Sequence, residues 1–490
     1  MSIFKNLFKK EKIRTRFAPS PTGLFHIGNV RTALFNFLFA KKYGGKFILR
    51  VEDTDFNRYK PEYEKDIFEA LEWLGINWDE GPYKQSERLD IYSKYIRQLL
   101  SNGNAFYCFH SKDFLELERE EQIKNKSIPC HNCEFKKIPA QDTEKRLSKQ
   151  DALVRFRVPV DFVISFVDLI RGEIRFNSNT LGGDFSLAKT EGPDKFFPLY
   201  NLAVTVDDFE MNISHVIRGE DHISNTPKQI LIQRALGMPT PKYAHLPLIF
   251  GSDKSKLSKR HAAVSVTEYR EAGYLPEALL NFIALLGWNP GTDKEIFDMK
   301  ELIEEFNLGK VQKSGAVFNI EKLDWLNGHY LRQLTLDQLA NLAIPFLEKS
   351  KLINGGNYDL EYVKKVLSLE QTRIKNLKEA GDRLSFFFKQ PEYQPELLIW
   401  RDMLFKDIVA SLKISLEALN KIEESAFTRD NLEMTLLKEA ERAKNKDKGR
   451  LLWPLRVALT GLEASPGPFE ILEVLGKKES IKRIETAIQL

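Results

Sequence analysis

The order of apolar and polar stretches at the start of the chain is that of a β-α-β unit. Apolar residues from Ile13 to Phe17 read as a strand, Pro19 to Gly28 as a glycine-bearing loop, the stretch through Tyr43 as an apolar helix, and Lys46 to Val51 as a second strand. That order predicts a parallel sheet. From about Ser111 to Lys149 a polar, Lys/Glu-rich stretch interrupts the pattern and reads as an insertion. Sheet-like runs return at Phe196 to Thr205 and His215 to Arg218, a helix is predicted over Thr226 to Leu236, and His245 to Phe250 reads as a short buried strand. Beyond about Gly328 helical segments follow one another, among them Leu360 to Leu369, Thr372 to Phe388 and Met403 to Glu424, with Gly355-Gly356-Asn357 as an interhelical turn. The pattern predicts an α/β domain split by an insertion and followed by a separate α-helical half.

Composition narrows this further. A chain of 490 residues, 42% hydrophobic and 29% charged, can bury several cores, and one domain per ~150 residues suggests three or four. No uninterrupted apolar run reaches the ~18 residues of a membrane span, and no secretory h-region opens the chain, so a cytoplasmic protein without a membrane partner is expected. The basic start, residues 1–12, reads as a frayed leader. A net charge of +4 is too small for a protein basic throughout, so any RNA contact must come from local patches. Three cysteines argue against a secreted disulfide framework and direct attention to metal chemistry.

Two loops carry the candidate chemistry. In Ala18-Pro19-Ser20-Pro21-Thr22-Gly23-Leu24-Phe25-His26-Ile27-Gly28-Asn29 the prolines stiffen the strand exit, while Gly23 and Gly28 allow backbone to approach a ligand. The helix beginning near Gly28 turns its N-terminal amides and dipole toward a triphosphate, and His26 supplies a polarised donor. Far downstream, Lys256-Leu257-Ser258-Lys259-Arg260 offers cations to clamp a leaving pyrophosphate. Either motif alone would pass for an ordinary solvated turn. Together they make one ATP site of Pro19, Thr22, Gly23, His26, Gly28, Asn29, Lys256, Leu257, Ser258, Lys259 and Arg260, with His26, Lys256 and Lys259 as the catalytic candidates.

In this order the loops resemble the HIGH and KMSKS signatures of class I aminoacyl-tRNA synthetases, with Asn29 in the fourth HIGH position. Arg16 to Gly23, Val51-Glu52-Asp53-Thr54-Asp55 and Val216-Ile217-Arg218-Gly219-Glu220-Asp221-His222 are similar to the bacterial-type glutamyl-tRNA synthetases. Leu452-Trp453-Pro454-Leu455-Arg456 through Gly461, with Gly467-Pro468, is similar to that family's anticodon-binding segment. The resemblance implies a Rossmann-type catalytic domain in two halves, residues 13–107 and 191–250, around an α+β acceptor-end-binding insertion, residues 108–190. A KMSKS-loop and stem-contact domain, residues 251–335, and an α-helical anticodon-binding region, residues 336–490, would follow.

It further implies that L-glutamate is activated with ATP and Mg²⁺ and transferred to tRNA(Glu) by a monomer. Arg16 and Tyr200 would hold the side-chain carboxylate, Arg218 the α-carboxylate, and Glu52 with Ser20 the ammonium, with Ala18 lining the pocket. Two carboxylates and one ammonium require just such a set of cationic and acidic anchors. Cys108, His110, Cys130 and Cys133, with His131 as the alternative fourth ligand, offer a closed tetrahedral Zn²⁺ site, where some family members carry zinc in a different order of Cys and His. Pro19-Ser20-Pro21-Thr22-Gly23 departs from the Pro-Glu-Pro-Asn-Gly typical of glutaminyl-tRNA synthetases, and the helical half excludes the truncated paralogue that glutamylates a modified tRNA base. Retention of His26, Lys256, Lys259, Glu52 and Arg218 argues against a dead RNA-binding scaffold. The sequence leaves open whether glutamine tRNA is charged as well.

Overall fold

The computed structural model describes residues 12–55, 57–127, 129–255, 257, 265–442 and 447–490. The chain divides into two compact units, Met1–Glu268 with Leu279–Ile320, and Tyr269–Ala278 with Glu321–Leu490. The expected leader lies outside the described residues except for Lys12.

In chain order the first unit begins with β1 (Arg14–Phe17), α1 (Ile27–Lys42), β2 (Lys46–Val51), α2 (Pro61–Trp73), β3 (Glu80–Lys84), α3 (Leu89–Ser101) and β4 (Ala105–Cys108). Then come α4 (Lys112–Lys124), α5 (Ala140–Leu147), β5 (Leu153–Phe156), β6 (Val163–Asp168), β7 (Gly172–Asn177), β8 (Ser186–Glu191), β9 (Lys195–Pro198), α6 (Tyr200–Glu210), β10 (His215–Gly219), α7 (Thr226–Leu236) and β11 (Lys242–Leu246).

β1, β2 and β3 pair in parallel, as do β10 and β11, with Arg16 beside Ile48 and Arg218 beside His245. Ser214 joins the two groups: its N–H donates to the Arg14 carbonyl at 3.0 Å and its hydroxyl accepts from the Arg14 N–H at 2.8 Å. Asn36 on α1 pins the helix over this seam, donating to the Ile217 carbonyl at 2.9 Å while its own carbonyl accepts from Thr15 Oγ1 at 2.9 Å. The carboxyl ends of β1, β2, β10 and β11 thus gather along one edge, where ligands of open α/β sheets bind.

The insertion is built on the antiparallel order β4-β5-β8-β9, which runs from Ala105 to Pro198. Its β6-β7 hairpin leaves that sheet, and β6 joins the parallel one, Asp168 pairing with Tyr243 of β11. The insertion and the nucleotide fold therefore share hydrogen bonds.

In the first unit two readings of the pattern need correction. Phe196 to Thr205 is not one strand: β9 ends at Pro198, and Tyr200 onward is α6, in which Leu202, Ala203, Val204 and Val206 are all buried. A helix covered on all sides has no 3.6-residue polarity pattern, and its β-branched residues imitate a strand. His245 to Phe250 is likewise not continuous. β11 stops at Leu246 before Pro247, which has no N–H for a ladder, and Ile249–Phe250 pairs separately with Ala316–Val317.

The second unit is helical over Glu321–Leu490, and its core joins Leu275 and Ala278 to residues such as Leu331, Leu347, Leu367, Leu412, Leu455 and Ile471. Thr335 and Gln338 form a capping box at the head of Leu336–Lys349, and Asp359 caps Leu360–Glu370. The helix read over Thr372 to Phe388 is two shorter ones, Leu377–Arg383 and Ser385–Phe388. The Asn376 side chain accepts from the Glu379 N–H and starts a new helix there. Met403 to Glu424 contracts to Phe405–Asn420, its entry fixed by Asp407 accepting the Leu404 N–H at 2.9 Å. The expected boundary between residues 335 and 336 falls inside this unit. Among the described residues no helix is long and apolar enough to cross a membrane.

Candidate active site and Cys/His cluster

A cleft of ≈ 530 Å³ opens at the carboxyl ends of the parallel strands. β1 brings Arg16 and, just beyond it, Ala18, Pro19, Ser20 and Thr22; β2 brings Glu52; β10 brings Arg218; the start of α6 brings Tyr200. His26, Gly28 and Asn29 line it from the head of α1. Of the expected residues, Gly23 is the exception, since it does not line the cleft and nothing lies within 4 Å of where its Cβ would be. Lys256, Ser258, Lys259 and Arg260 lie outside the described residues. Their described neighbours are at the cleft: Leu257 lines it, and Ser265 forms an antiparallel bridge with His26.

His26 is the N-cap of α1, its Nδ1 accepting from the Asn29 N–H at 3.3 Å. An acceptor at Nδ1 puts the ring proton of the neutral imidazole on Nε2. Gly28 allows this cap, because a Cβ there would sit 3.1 Å from the His26 ring.

The other end of the cleft is a knot of opposed charges. Arg50, wholly buried, donates from Nη1 to Asp208 Oδ1 at 2.8 Å and from Nη2 to Glu52 Oε1 at 3.1 Å, and its Nε lies 3.7 Å from Asp207 Oδ2. Asp207 also accepts from Arg88 Nε, Gln85 Nε2 and Tyr92 OH at 2.8, 2.9 and 2.8 Å. Arg16 gives only its Nε to Asp208, at 3.1 Å, and its Nη atoms bond no described residue. Burial raises Glu52 above the ordinary carboxylate range, although Arg50 and Arg16 pull it down. A carboxylate in that condition gains from an arriving cation. Arg218 donates to His245 Nε2 at 3.2 Å, to Thr226 Oγ1 at 2.8 Å and to Gln229 Oε1 at 2.9 Å, with Nη1 3.5 Å from Tyr200 OH. His222 faces Tyr200 at 2.9 Å and is pushed down to about 4 by burial and by the Arg218 charge, so it is neutral.

Sequence reasoning missed Arg31, Thr32, His222 and Asn225, which also line this cleft. Arg31 was legible only as part of the apolar helix, yet it is buried and donates to the Leu286 and Pro247 carbonyls. Arg50, Asp207, Asp208, Asp168 and His245 were missed altogether.

In the insertion, Cys108, His110, His131 and Cys133 have their ligand atoms within 4.8 Å of one another. Cys130, expected as a ligand, is not among them. Gln122 holds its backbone through both N–H and carbonyl, at 2.7 and 2.9 Å, and its Sγ lies against Gly183, where a Cβ would meet it at 2.5 Å. His131 bridges to Gly183, and in extended backbone neighbouring side chains point oppositely, so His131 and Cys133 turn inward while Cys130 turns out. Cys108 Sγ is 3.5 Å from His110 Nδ1 and 3.7 Å from His131 Nε2, and Cys133 Sγ is 3.8 Å from His110 Nδ1. Tetrahedral Zn–S and Zn–N bonds imply ligand separations of about 3.3–3.8 Å, so this donor set fits such an ion. Glu118 Oε2, 2.5 Å from His131 Nδ1, directs Nε2 into the cluster. A hydrogen bond between the two thiols lowers Cys108 and raises Cys133.

Residues 12–325 match the family model described as tRNA synthetases class I (E and Q), catalytic domain, and residues 338–488 match an anticodon binding domain. A glutamate–tRNA ligase of Caldanaerobacter subterraneus subsp. tengcongensis is 44% identical over 481 residues, 98% of both chains. One from Syntrophomonas wolfei is 44% identical over 97% of this chain and 96% of its own. Among solved structures, the glutamate tRNA ligase of Elizabethkingia meningosepticum in complex with its amino acid superposes with a TM-score of 0.85 at 36% identity, covering 98% of this chain and 99% of that one. With both domains matched in order and relatives alike over nearly their whole length, the chain belongs to the glutamate–tRNA ligase family of class I aminoacyl-tRNA synthetases.

Proposed function

We propose that the cleft activates L-glutamate with ATP and passes the glutamyl group to the terminal adenosine of tRNA(Glu). The observation that carries this is the convergence of Arg16, Glu52 and Arg218, three buried charges with unspent hydrogen-bonding capacity or unrelieved desolvation, beside the capped start of α1. Arg16, with Tyr200, takes the side-chain carboxylate; Arg218 takes the α-carboxylate; Glu52, with Ser20, takes the ammonium, which relieves its desolvation.

ATP lies over Pro19, Thr22, Gly28 and Asn29, its phosphates at the amides and dipole of α1. A glutamate α-carboxylate oxygen attacks the α-phosphorus in line, the bond to pyrophosphate breaks, and glutamyl-adenylate remains. The 2′-hydroxyl of the tRNA then attacks the acyl carbon and AMP leaves. His26 Nε2–H donates toward the charge developing at the α-phosphate, and Lys256 and Lys259 neutralise the leaving pyrophosphate. Positioning and charge stabilisation suffice without a general base. Mg²⁺ accompanies ATP on phosphate and water ligands. Cys108, His110, His131 and Cys133 hold a structural Zn²⁺, which stiffens the insertion that meets the acceptor end. The helical unit reads the anticodon by stacking and base-edge hydrogen bonds. The protein acts as a cytoplasmic monomer.

The test is charging of purified glutamate and glutamine tRNAs in parallel, with L-glutamate-dependent pyrophosphate exchange measured with and without tRNA. The reading expects glutamyl-tRNA(Glu) and exchange that requires tRNA. Exchange with another amino acid and none with glutamate would overturn it.

A further inference from the structure

Arg218 sits at the end of a chain of buried groups that touches no expected ligand. His245, on β11 beside it, has no exposed surface, and Asp168, on β6, has 1%. His245 Nδ1 lies 2.7 Å from Asp168 Oδ2, which also accepts the His245 main-chain N–H at 3.0 Å. Its Nε2 faces Arg218 Nε at 3.2 Å and Thr226 Oγ1 at 3.1 Å.

An arginine Nε–H can only donate, so Nε2 of His245 accepts and the ring's single proton is on Nδ1, donated to Asp168. Asp168 is fixed for this by the Ile170 and Arg171 N–H groups, both 2.9 Å from its Oδ1. These bonds hold the Asp168 carboxyl below its usual range against the opposing effect of burial, while burial holds His245 low, as a neutral ring. The tautomer of one imidazole therefore decides whether Arg218 meets an acceptor or a second donor. With Nε accepted by His245 and Nη2 by Thr226 and Gln229, the guanidinium plane is fixed and Nη1 points toward Tyr200 in the cleft.

We infer that Asp168 and His245 are positioning residues for amino-acid recognition: Asp168 fixes the His245 tautomer, and His245 aims Arg218 at the α-carboxylate of glutamate. This rests on the reading above that Arg218 binds that carboxylate. Asp168 comes from the inserted hairpin, so the insertion itself completes the amino-acid pocket.

The experiment uses the full chain in tRNA charging. The probes are L-glutamate as substrate and, as competitive inhibitor, the analogue whose α-carboxylate is replaced by CH₂OH. Asp168→Asn keeps the side-chain size but presents an NH₂ to Nδ1, which drives the ring proton to Nε2 against Arg218. Glutamate KM should rise about ten- to hundred-fold, the worth of a hydrogen bond to a charged group. kcat, ATP KM and the inhibitor's Ki should stay as in the wild type. His245→Gln, whose carbonyl can still accept from Arg218 Nε, should recover much of the affinity that His245→Leu loses.

A parallel rise in glutamate KM and inhibitor Ki, or a fall in kcat at unchanged KM, would mean that the dyad only supports the fold and would overturn the inference. Arg218→Lys separates the underlying reading. If it too weakens both probes equally, Arg218 does not bind the α-carboxylate and the reading fails. If it weakens glutamate alone while Asp168→Asn and His245→Leu change nothing, the reading stands and the relay fails.

Discussion

The charged end of the cleft and the Cys/His cluster of the insertion are both polar groups gathered out of water, but they balance charge differently. In the cleft the chain supplies both signs: Arg50 lies among Asp207, Asp208 and Glu52, and Arg16 on Asp208. In the cluster, thiols and imidazoles present lone pairs of one kind to a common centre. The first is balanced by the protein's own charges. The second offers four donors that fit a cation. Stability of the cleft should therefore be indifferent to metal, and that of the insertion should depend on it.

Removing the shared cation of the cleft tests this contrast most severely. Arg50→Met should cost about 3–5 kcal/mol in urea unfolding, since three buried carboxylates lose a counter-charge. A loss below ~1 kcal/mol would mean that the knot is not held by charge. Next is Glu118→Gln, which unlocks the His131 ring: zinc affinity measured by chelator competition should fall about 10–100-fold, with glutamate KM unchanged. Equal affinity in both proteins would remove Glu118 from the support of the cluster. The smallest effect is expected at Cys130. Cys130→Ser should keep about one equivalent of zinc, as four other ligands supply the site, and should alter stability by no more than ~0.5 kcal/mol, as for an exposed side chain. Loss of the metal in that variant would restore Cys130 as a ligand and return His131 to the surroundings.

What could be read in the sequence follows from how local each feature is. The β1-loop-α1-β2 opening was legible because prolines, glycines and strand-length apolar runs punctuate it within 40 residues. α6 was not, because burial on every side erased its periodicity. The cleft residues were legible where a contiguous motif carried them, as with Arg16, His26, Glu52 and Arg218. Their partners were not: Arg50 meets Asp208 across 158 positions, and His245 meets Asp168 across 77, distances that no local pattern spans. At the Cys/His cluster the spacing offered both Cys130 and His131, and only the bridge to Gly183 selects between them.

The chain crosses between its two compact units at 268/269, 278/279 and 320/321. A domain appended through one linker can be gained or lost by a single genetic break, and one protease cut releases it. Here a cut at 320/321 leaves Tyr269–Ala278 on the amino-terminal fragment, and that segment carries Leu275 and Ala278, whose buried surfaces belong to the helical core. Removing the residues beyond about Ser350 does still more, since it parts Leu347 from Val363, Val366 and Leu367. The helical unit is thus stitched into the gene rather than hung on its end. Recombination that exchanges it for another must also rewrite ten residues, Tyr269–Ala278, within the preceding stretch of chain.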